Sequence, residues 1–270
     1  MKTKDTPKNK IIRTIIKILV FALILVGAAY LFVYLTGYRL IVIKSDEGDT
    51  RFIGKVGKNN EPSVGNVYFP DGSKAKIDLT KKRIEYSDGS VYTGETSELK
   101  PNGEGKLMFL SGEYYEGDFV YGKMTGYGVY VYAPVIGDRY EGYMKDGKRN
   151  GTGRYTWSDG SCYEGSYEND MKNGEGIYIW ANGESYVGTY VNDVKNGRGV
   201  YEYKNGDKYE GDFVNDVRQG TGTYTWANGE SYTGQFKDDM MDGHGIYTWV
   251  TGRTYEGTFS ENRIVWDISE

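Results

Sequence analysis

The side chains that most often carry catalysis or bind metal ions are scarce in this sequence. Its 270 residues include one histidine, His244, and one cysteine, Cys162. An intrachain disulfide, a multi-histidine metal centre and a nucleophile beside its base all need more of these residues. The Gly-x-Gly pairs fall inside predicted strands and not before a helix, so they do not predict a dinucleotide site. The sequence therefore predicts no cofactor and no metal site.

Carboxylates are the remaining groups that could do chemistry, since a glycosidase needs only two of them in one cleft. A glutamate recurs at one repeat position, at Glu116, Glu141, Glu164, Glu210 and Glu256. Such recurrence is typical of a solvated outer face. Asp216, Asp238 and Asp239 lack the alternating oxygen ligands and the glycine turn of a calcium loop. We predict that the protein is not an enzyme.

Tyrosine and glycine are the residues that repeat. The chain has 39 Gly and 27 Tyr but only 5 Pro. A tyrosine two residues before a glycine returns every 23 residues, except for one interval of 25 that contains a lengthened turn at residues 133–137. These tyrosines are Tyr92, Tyr115, Tyr140, Tyr163, Tyr186, Tyr209, Tyr232 and Tyr255. A period of this length indicates stacked structural repeats.

One repeat unit, residues 163–183, alternates with the period of a β-strand. The positions that share one face are Tyr163, Gly165, Tyr167, Gly174, Gly176, Tyr178 and Trp180. The pattern predicts two short strands joined by a loop at residues 169–173, with Asn182-Gly183 as a type I′ turn to the next repeat. Rings can lie flat on the backbone where glycine has no Cβ, so we expect the tyrosines to form a core seated on the glycines.

A single hairpin of this size is not stable alone, so the repeats must stack edge to edge. The predicted fold class is an all-β repeat array: a single-layer, elongated, twisted antiparallel sheet of stacked β-hairpins, preceded by one transmembrane α-helix. The predicted segments are a basic cytoplasmic tail at 1–17, the helix at 18–36, a juxtamembrane linker with degenerate repeats at 37–90, about seven to eight repeats at 91–266, and a tail at 267–270.

The helix prediction rests on nineteen uncharged residues from Ile18 to Thr36, enough to cross a hydrocarbon core of roughly 30 Å. A cleaved signal peptide is the first alternative, with residues 27–29 as its cleavage site, but the apolar run continues past them. A buried core helix is the second, but nothing else in the sequence offers helical partners for an apolar surface on all sides. We interpret the segment as a retained anchor.

Orientation follows from the charges that flank this run. Four bases precede it within about ten residues, whereas the two that follow it, Arg39 and Lys44, are diluted by Asp46, Glu47 and Asp49. This bias predicts a cytoplasmic amino terminus and an extracytoplasmic repeat region. Residues 41–270 contain 26 bases and 37 acids, a net charge of −11. That balance disfavours nucleic acid and anionic lipid as direct partners of the repeats.

The motif Tyr-Glu-Gly-x-Phe/Tyr, followed by Asn/Asp-Gly-x-Gly-x-Tyr-x-Trp at period 23, resembles the MORN (membrane occupation and recognition nexus) repeat across residues 92–266. The first unit departs from it at residues 95–97, which lack the expected aromatic, and the last stops near Trp266. The resemblance implies protein interaction and, in some members, attachment to membranes. An N-terminal transmembrane anchor would then accompany a MORN array.

Two functions from different classes remain open. The first is a non-catalytic scaffold that binds an unidentified protein through aromatic side chains, and the second is an extracytoplasmic array that stacks its rings on cell-wall glycans. The candidate partner-binding residues are Tyr155, Trp157, Tyr178, Trp180, Tyr201, Tyr203, Tyr224, Trp226, Tyr247 and Trp249. Exposed tryptophans would favour glycans, and tryptophans buried on the glycines at 151, 174, 220 and 243 would not. Uncovered sheet edges would also permit self-association.

Overall fold

The computed structural model describes residues 7–46, 48–132 and 137–266. Two compact units divide the chain, residues 1–99 and 100–270. The predicted tail at 267–270, the first six residues of the predicted basic tail and most of the lengthened turn at 133–137 lie outside the described residues.

A single α-helix, α1 (Pro7–Leu35), opens the first unit and contains the predicted span except for Thr36. It begins earlier than the apolar run because Pro7 suits the first helical position. It ends where Gly37 adopts a φ of +74°, a left-handed conformation that glycine tolerates best. The described segment from Lys10 to Leu35 is long and apolar enough to cross a membrane, and it is exposed.

The rest of the first unit is an antiparallel meander whose first strand starts at Tyr38, directly after the helix. Its strands are β1 (Tyr38–Ile43), β2 (Thr50–Val56), β3 (Pro62–Tyr68), β4 (Lys74–Asp78), β5 (Arg83–Tyr86) and β6 (Val91–Ser97). Each strand pairs with the next, and short 3-10 turns follow β2 and β4. One face is a core that includes Phe52, Val67, Ile77, Ile84 and Tyr92.

The second unit is an antiparallel stack in which each strand pairs with its neighbours along the chain. Strands of seven residues that begin around the repeat tyrosine alternate with strands of nine that carry Gly-x-Gly. The bounds are β7 (Lys100–Met108), β8 (Tyr114–Val120), β9 (Lys123–Val131), β10 (Arg139–Lys145), β11 (Lys148–Thr156), β12 (Cys162–Glu168), β13 (Met171–Ile179), β14 (Ser185–Val191), β15 (Val194–Glu202), β16 (Lys208–Val214), β17 (Val217–Thr225), β18 (Ser231–Lys237), β19 (Met240–Thr248), β20 (Thr254–Ser260) and β21 (Arg263–Ile264). The predicted stack of antiparallel hairpins preceded by one helix is confirmed.

The turn between the two strands of a repeat is tighter than predicted. In the repeat at 163–185, Asn169 and Asp170 alone connect β12 to β13, and their φ angles are +50° and +74°. Two consecutive positive φ angles define the two-residue type I′ hairpin, and Asn and Asp tolerate that conformation. The predicted loop at 169–173 was therefore wrong, because β13 already begins at Met171.

The turn between repeats also differs from the prediction. Gly183 has a φ of +92°, but Asn182 keeps a negative φ. The N–H of Gly183 donates to the carbonyl of Trp180 at 2.9 Å, and the Asn182 side chain accepts from the N–H of Glu184 at 3.0 Å. This is a type I turn completed by a left-handed glycine, so the predicted type I′ turn at Asn182-Gly183 was wrong.

The core of each repeat is a tyrosine ring that covers two glycines paired across neighbouring strands. Tyr186 is fully buried, and Gly188 pairs with Gly199 beneath it. A Cβ on Gly199 would lie 2.5 Å from both Cε2 and Oη of Tyr186. The tyrosines that repeat this arrangement are Tyr115, Tyr140, Tyr163, Tyr186, Tyr209 and Tyr232. The predicted tyrosine core seated on glycines is present in each of these six repeats.

Candidate binding face

The ten candidate partner-binding side chains lie on one face of the second unit and form a single row, the outer aromatic row. Consecutive ring centroids from Tyr155 to Trp249 are 4.4 to 5.8 Å apart. Each repeat supplies two neighbouring rings, and the second ring of one repeat contacts the first ring of the next, so the row is continuous. Trp180, for example, lies between Tyr178 of its own repeat and Tyr201 of the next. The structure thus brings all the predicted residues together.

A second row of rings, the inner aromatic row, runs beside the outer one and is buried. Its members meet edge to face: Tyr186 contacts Tyr190 and Phe213 at centroid distances of 5.2 Å, with interplanar angles of 83° and 89°. Edge-to-face contact is the favoured geometry for aromatic pairs because the positive ring edge meets the negative ring face. The inner row therefore belongs to the core, whereas the outer row beside it is mostly half-buried.

The tryptophans occupy neither of the two environments that were weighed from the sequence. Trp157, Trp180, Trp226 and Trp249 are all half-buried. They do not lie on Gly151, Gly174, Gly220 or Gly243. At Gly174, for example, the atom nearest to an added Cβ would be Cβ of Ser166, at 3.1 Å, and not a tryptophan ring. The pairing of β12 with β13 shifts register between Gly165 and Tyr167, opposite Gly174, and this shift explains why Gly174 does not lie under the tryptophan. The tryptophans instead pack against tyrosines. The ring plane of Trp180 is inclined by 35° to that of Tyr178 and by 36° to that of Tyr201.

A row of cations between the two aromatic rows was missed in the sequence. The row consists of Arg149, Lys172, Lys195 and Arg218. Each stands nine residues after a repeat tyrosine, and this common spacing could have identified them in the sequence. Lys172 Nζ lies 4.8 Å from the ring centroid of Tyr190 in the inner row and 5.1 Å from that of Tyr178 in the outer row. Cation–π attraction favours such positions.

The arginines and lysines of this row differ in their partners. The Arg218 guanidinium donates to the carboxylate of Asp239 at 3.0 Å and to its carbonyl at 2.6 Å. The equivalent aspartate after Lys172, Asp193, accepts at 2.9 Å from the lysine's backbone N–H. Burial lowers the pKa of the Lys172 and Lys195 side chains, because desolvation disfavours the ammonium form.

Carboxylates accept hydrogen bonds from four of the six tyrosines in the outer row. The hydroxyl of Tyr201 donates to Glu184 at 2.7 Å, and that of Tyr224 donates to Asp207 at 2.7 Å. Tyr155 and Tyr247 make the equivalent bonds to Asp138 and Glu230 at 2.8 Å. The candidate binding face therefore presents an ordered row of rings, with acids at one border and cations along its middle.

The face ends in a hollow near the carboxyl terminus of the stack. Met241 takes the place of the row cation there, and the hollow, with a volume of about 390 Å³, is also lined by Tyr247, Trp249, Phe259 and Trp266. An apolar hollow bounded by aromatic side chains suits an apolar side chain of a ligand.

The residues considered for chemistry do not converge. Cys162 is half-buried on β12, whereas His244 is exposed on β19. Among the described ranges, no group of three or more His, Cys, Asp or Glu side chains could hold a metal ion.

Hairpins repeated at a fixed period, each completing its core against the next, define a β-hairpin repeat protein. The family model of the MORN repeat matches residues 115–134, 140–162, 163–185, 186–208, 209–231 and 232–252. This chain is a MORN repeat protein. Repeats of this family are generally non-catalytic and mediate protein interactions. The units that start at Tyr92 and Tyr255 fall outside the matched ranges.

One of the solved structures that match this chain is the SAS-4 (dCPAP) TCP domain of Drosophila melanogaster in complex with a proline-rich motif of Ana2 (dSTIL). Sequence identity is 11%, and the match covers 82% of this chain and 90% of that chain with a TM-score of 0.27.

Buried tyrosines predict a cooperative loss of stability in alkali. Burial is the main reason why the pKa of Tyr163 and of Tyr247 rises to about 12, from about 10 in an unfolded chain. Their contribution is complete below pH 10 and declines as pH rises from about 10 to 12, because the unfolded chain releases these protons first. Tyrosinate absorbance from the buried rings should therefore appear together with loss of the β-sheet circular dichroism signal.

The non-ionising variants Tyr163→Phe and Tyr247→Phe should each move this alkaline midpoint upward. Ionisation of every tyrosine while the sheet signal stays intact would contradict the prediction.

Proposed function

We propose that this protein is a single-pass, membrane-anchored scaffold without catalytic activity, which holds a protein partner on its binding face. The observation that carries the proposal is the outer aromatic row, a continuous strip of rings across five repeats in which Tyr155 is buried and the other nine rings are half-buried. Aromatic rings held in place contribute contact area at little conformational cost, and aromatic residues are enriched where proteins bind one another. The hollow beside Met241 and the cations along the middle of the face add sites for apolar and charged side chains of the partner.

The geometry of the rings favours a protein over a glycan. Sugar recognition needs a ring face open to solvent, but the rings of the outer row lie 4.4 to 5.8 Å from each neighbour and cover part of one another. Trp180, for example, contacts a tyrosine on each side. We therefore place glycan binding second. The net charge of −11 outside the first 40 residues argues against nucleic acid.

The anchor in this proposal is α1, with the amino terminus in the cytoplasm and the repeats outside. Its support is the exposure of the whole apolar segment between Lys10 and Leu35, which a soluble protein would cover. The preceding bases support the orientation. Self-association through sheet edges is a further hypothesis; β21, with two residues, leaves little edge for pairing at that end of the second unit.

Membrane extraction and thiol labelling test the anchor. The full-length protein should stay in membranes washed with alkaline carbonate, and Ala28→Arg in the middle of the apolar segment should weaken that retention because a charge there is costly. A membrane-impermeant thiol reagent should label Thr251→Cys, in a Cys162→Ser background, on intact cells. Release by carbonate would contradict the anchor, and labelling only after lysis would contradict the orientation.

Site-specific photocrosslinking tests the binding face. A photoreactive phenylalanine in place of Trp180 should capture a discrete protein from the native membrane, because the ring lies in the outer row. The matched control is the same replacement of Val187, which is exposed on the opposite face of the next strand. Equal adducts from both positions would contradict the assignment. Retention of the protein on purified wall polysaccharide, lost in Trp180→Ala, would favour glycan binding instead.

A further inference from the structure

The first unit carries an exposed apolar surface on the side of its sheet opposite the core. On β1, alternate side chains point away from the core, and those of β2 and β3 continue the same surface through the strand register: Leu40 is opposite Ile53, and Val42 is opposite Arg51. Leu40 is 64% exposed and Ile53 is 45% exposed. The exposed apolar residues of this surface, the outer face of the first unit, are Tyr38, Leu40, Val42, Ile53, Val64 and Tyr68.

Basic residues stand between these apolar side chains. Arg51 pairs with Tyr68 across β2 and β3, Lys55 pairs with Val64, and β4 adds Lys74 and Lys76. All four bases are exposed. Within the described strands β1 to β4, the one acid on this face is Asp78, and it is already ion-paired with Lys81 at 3.4 Å. Across β1 to β4 the outer face is therefore basic, in contrast to the net negative charge of residues 41–270 taken together. On β5, Glu85 lies opposite Lys76 and is ion-paired with Arg83 at 2.8 Å.

The outer face adjoins the end of the apolar helix. A crevice with a volume of about 800 Å³ is lined on one side by Phe32, Val33 and Thr36 and on the other by side chains that include Leu40 and Ile53. Only Thr36 and Gly37 separate α1 from β1. A surface so close to the end of a spanning helix must lie at the level of the lipid headgroups, since the helix places its own last turn there.

The geometry points to a bilayer rich in anionic lipid as the partner of the outer face, an inference that rests on the proposed anchor. Apolar side chains and tyrosines suit the boundary between acyl chains and headgroups, and interleaved Lys and Arg suit anionic headgroups. The first hairpins then lie against the membrane beside the helix and restrict how the protein tilts on its anchor.

Fluorescence quenching by lipid tests this inference in full-length protein reconstituted into nanodiscs. A single environment-sensitive dye is attached at Ile53→Cys in a Cys162→Ser background, and the lipid carries a nitroxide near its headgroup. The matched control is Val187→Cys, because Val187 is 47% exposed on the outer side of a strand in the second unit and Ile53 is 45% exposed. In discs that contain phosphatidylglycerol, quenching at residue 53 should exceed that at residue 187 severalfold.

A charge variant and a helix label separate the two proposals. Arg51→Gln combined with Lys55→Gln and Lys76→Gln should reduce the quenching at residue 53, as should phosphatidylcholine alone or high salt. Equal quenching at residues 53 and 187 would overturn the inference. A dye at Ala28→Cys reports on the anchor itself: if a nitroxide on the acyl chain quenches it while residue 53 stays unquenched, the anchor stands and the outer face does not bind lipid.

Discussion

The contact on which the second unit depends is a tyrosine ring laid over a pair of glycines. Six repeats bury their first tyrosine completely, and the closest heavy atoms to a Cβ built on the facing glycine belong to that ring or to the paired backbone. Both glycines adopt strand geometry, so what makes them necessary is space rather than a special backbone conformation. A single layer of sheet can have a core only because the ring lies flat on its own backbone.

That constraint also separates the structural rings from those available to a partner. The inner row must face the glycines and pack edge to face with the next repeat, so it is buried. The outer row lies nearer the turns, where four of its tyrosines donate hydrogen bonds to carboxylates and its tryptophans pack between tyrosines. The cations at residues 149, 172, 195 and 218 fill the space between the rows, and Met241 fills it where the series ends. The candidate binding face is thus a consequence of how the core is built.

Much of this arrangement was predictable from the sequence, because the period and the alternation together fix which residues share a face. The ten residues of the outer row were therefore placed on one face correctly, whereas their role in binding a partner stays a prediction. The turns were not: Asn182-Gly183 has the composition of a type I′ turn, but only Gly183 has a positive φ, and the type I′ geometry occurs at Asn169-Asp170. The environment of the tryptophans depends on a register shift near Gly165, and the spacing of residues in the sequence does not reveal such a shift. Lys172 was overlooked because its ring contacts come from three different strands.

A double-mutant cycle between Gly199 and Tyr186 tests the central contact most directly. Gly199→Ala should lower the free energy of unfolding by about 1–3 kcal/mol, the usual range for overpacking a core. In a Tyr186→Leu background, which lacks the Cε2, Cζ and Oη atoms nearest the new methyl group, the same change should cost close to nothing. Equal costs in the two backgrounds would contradict the account, because the glycine would then be required for a reason other than the ring.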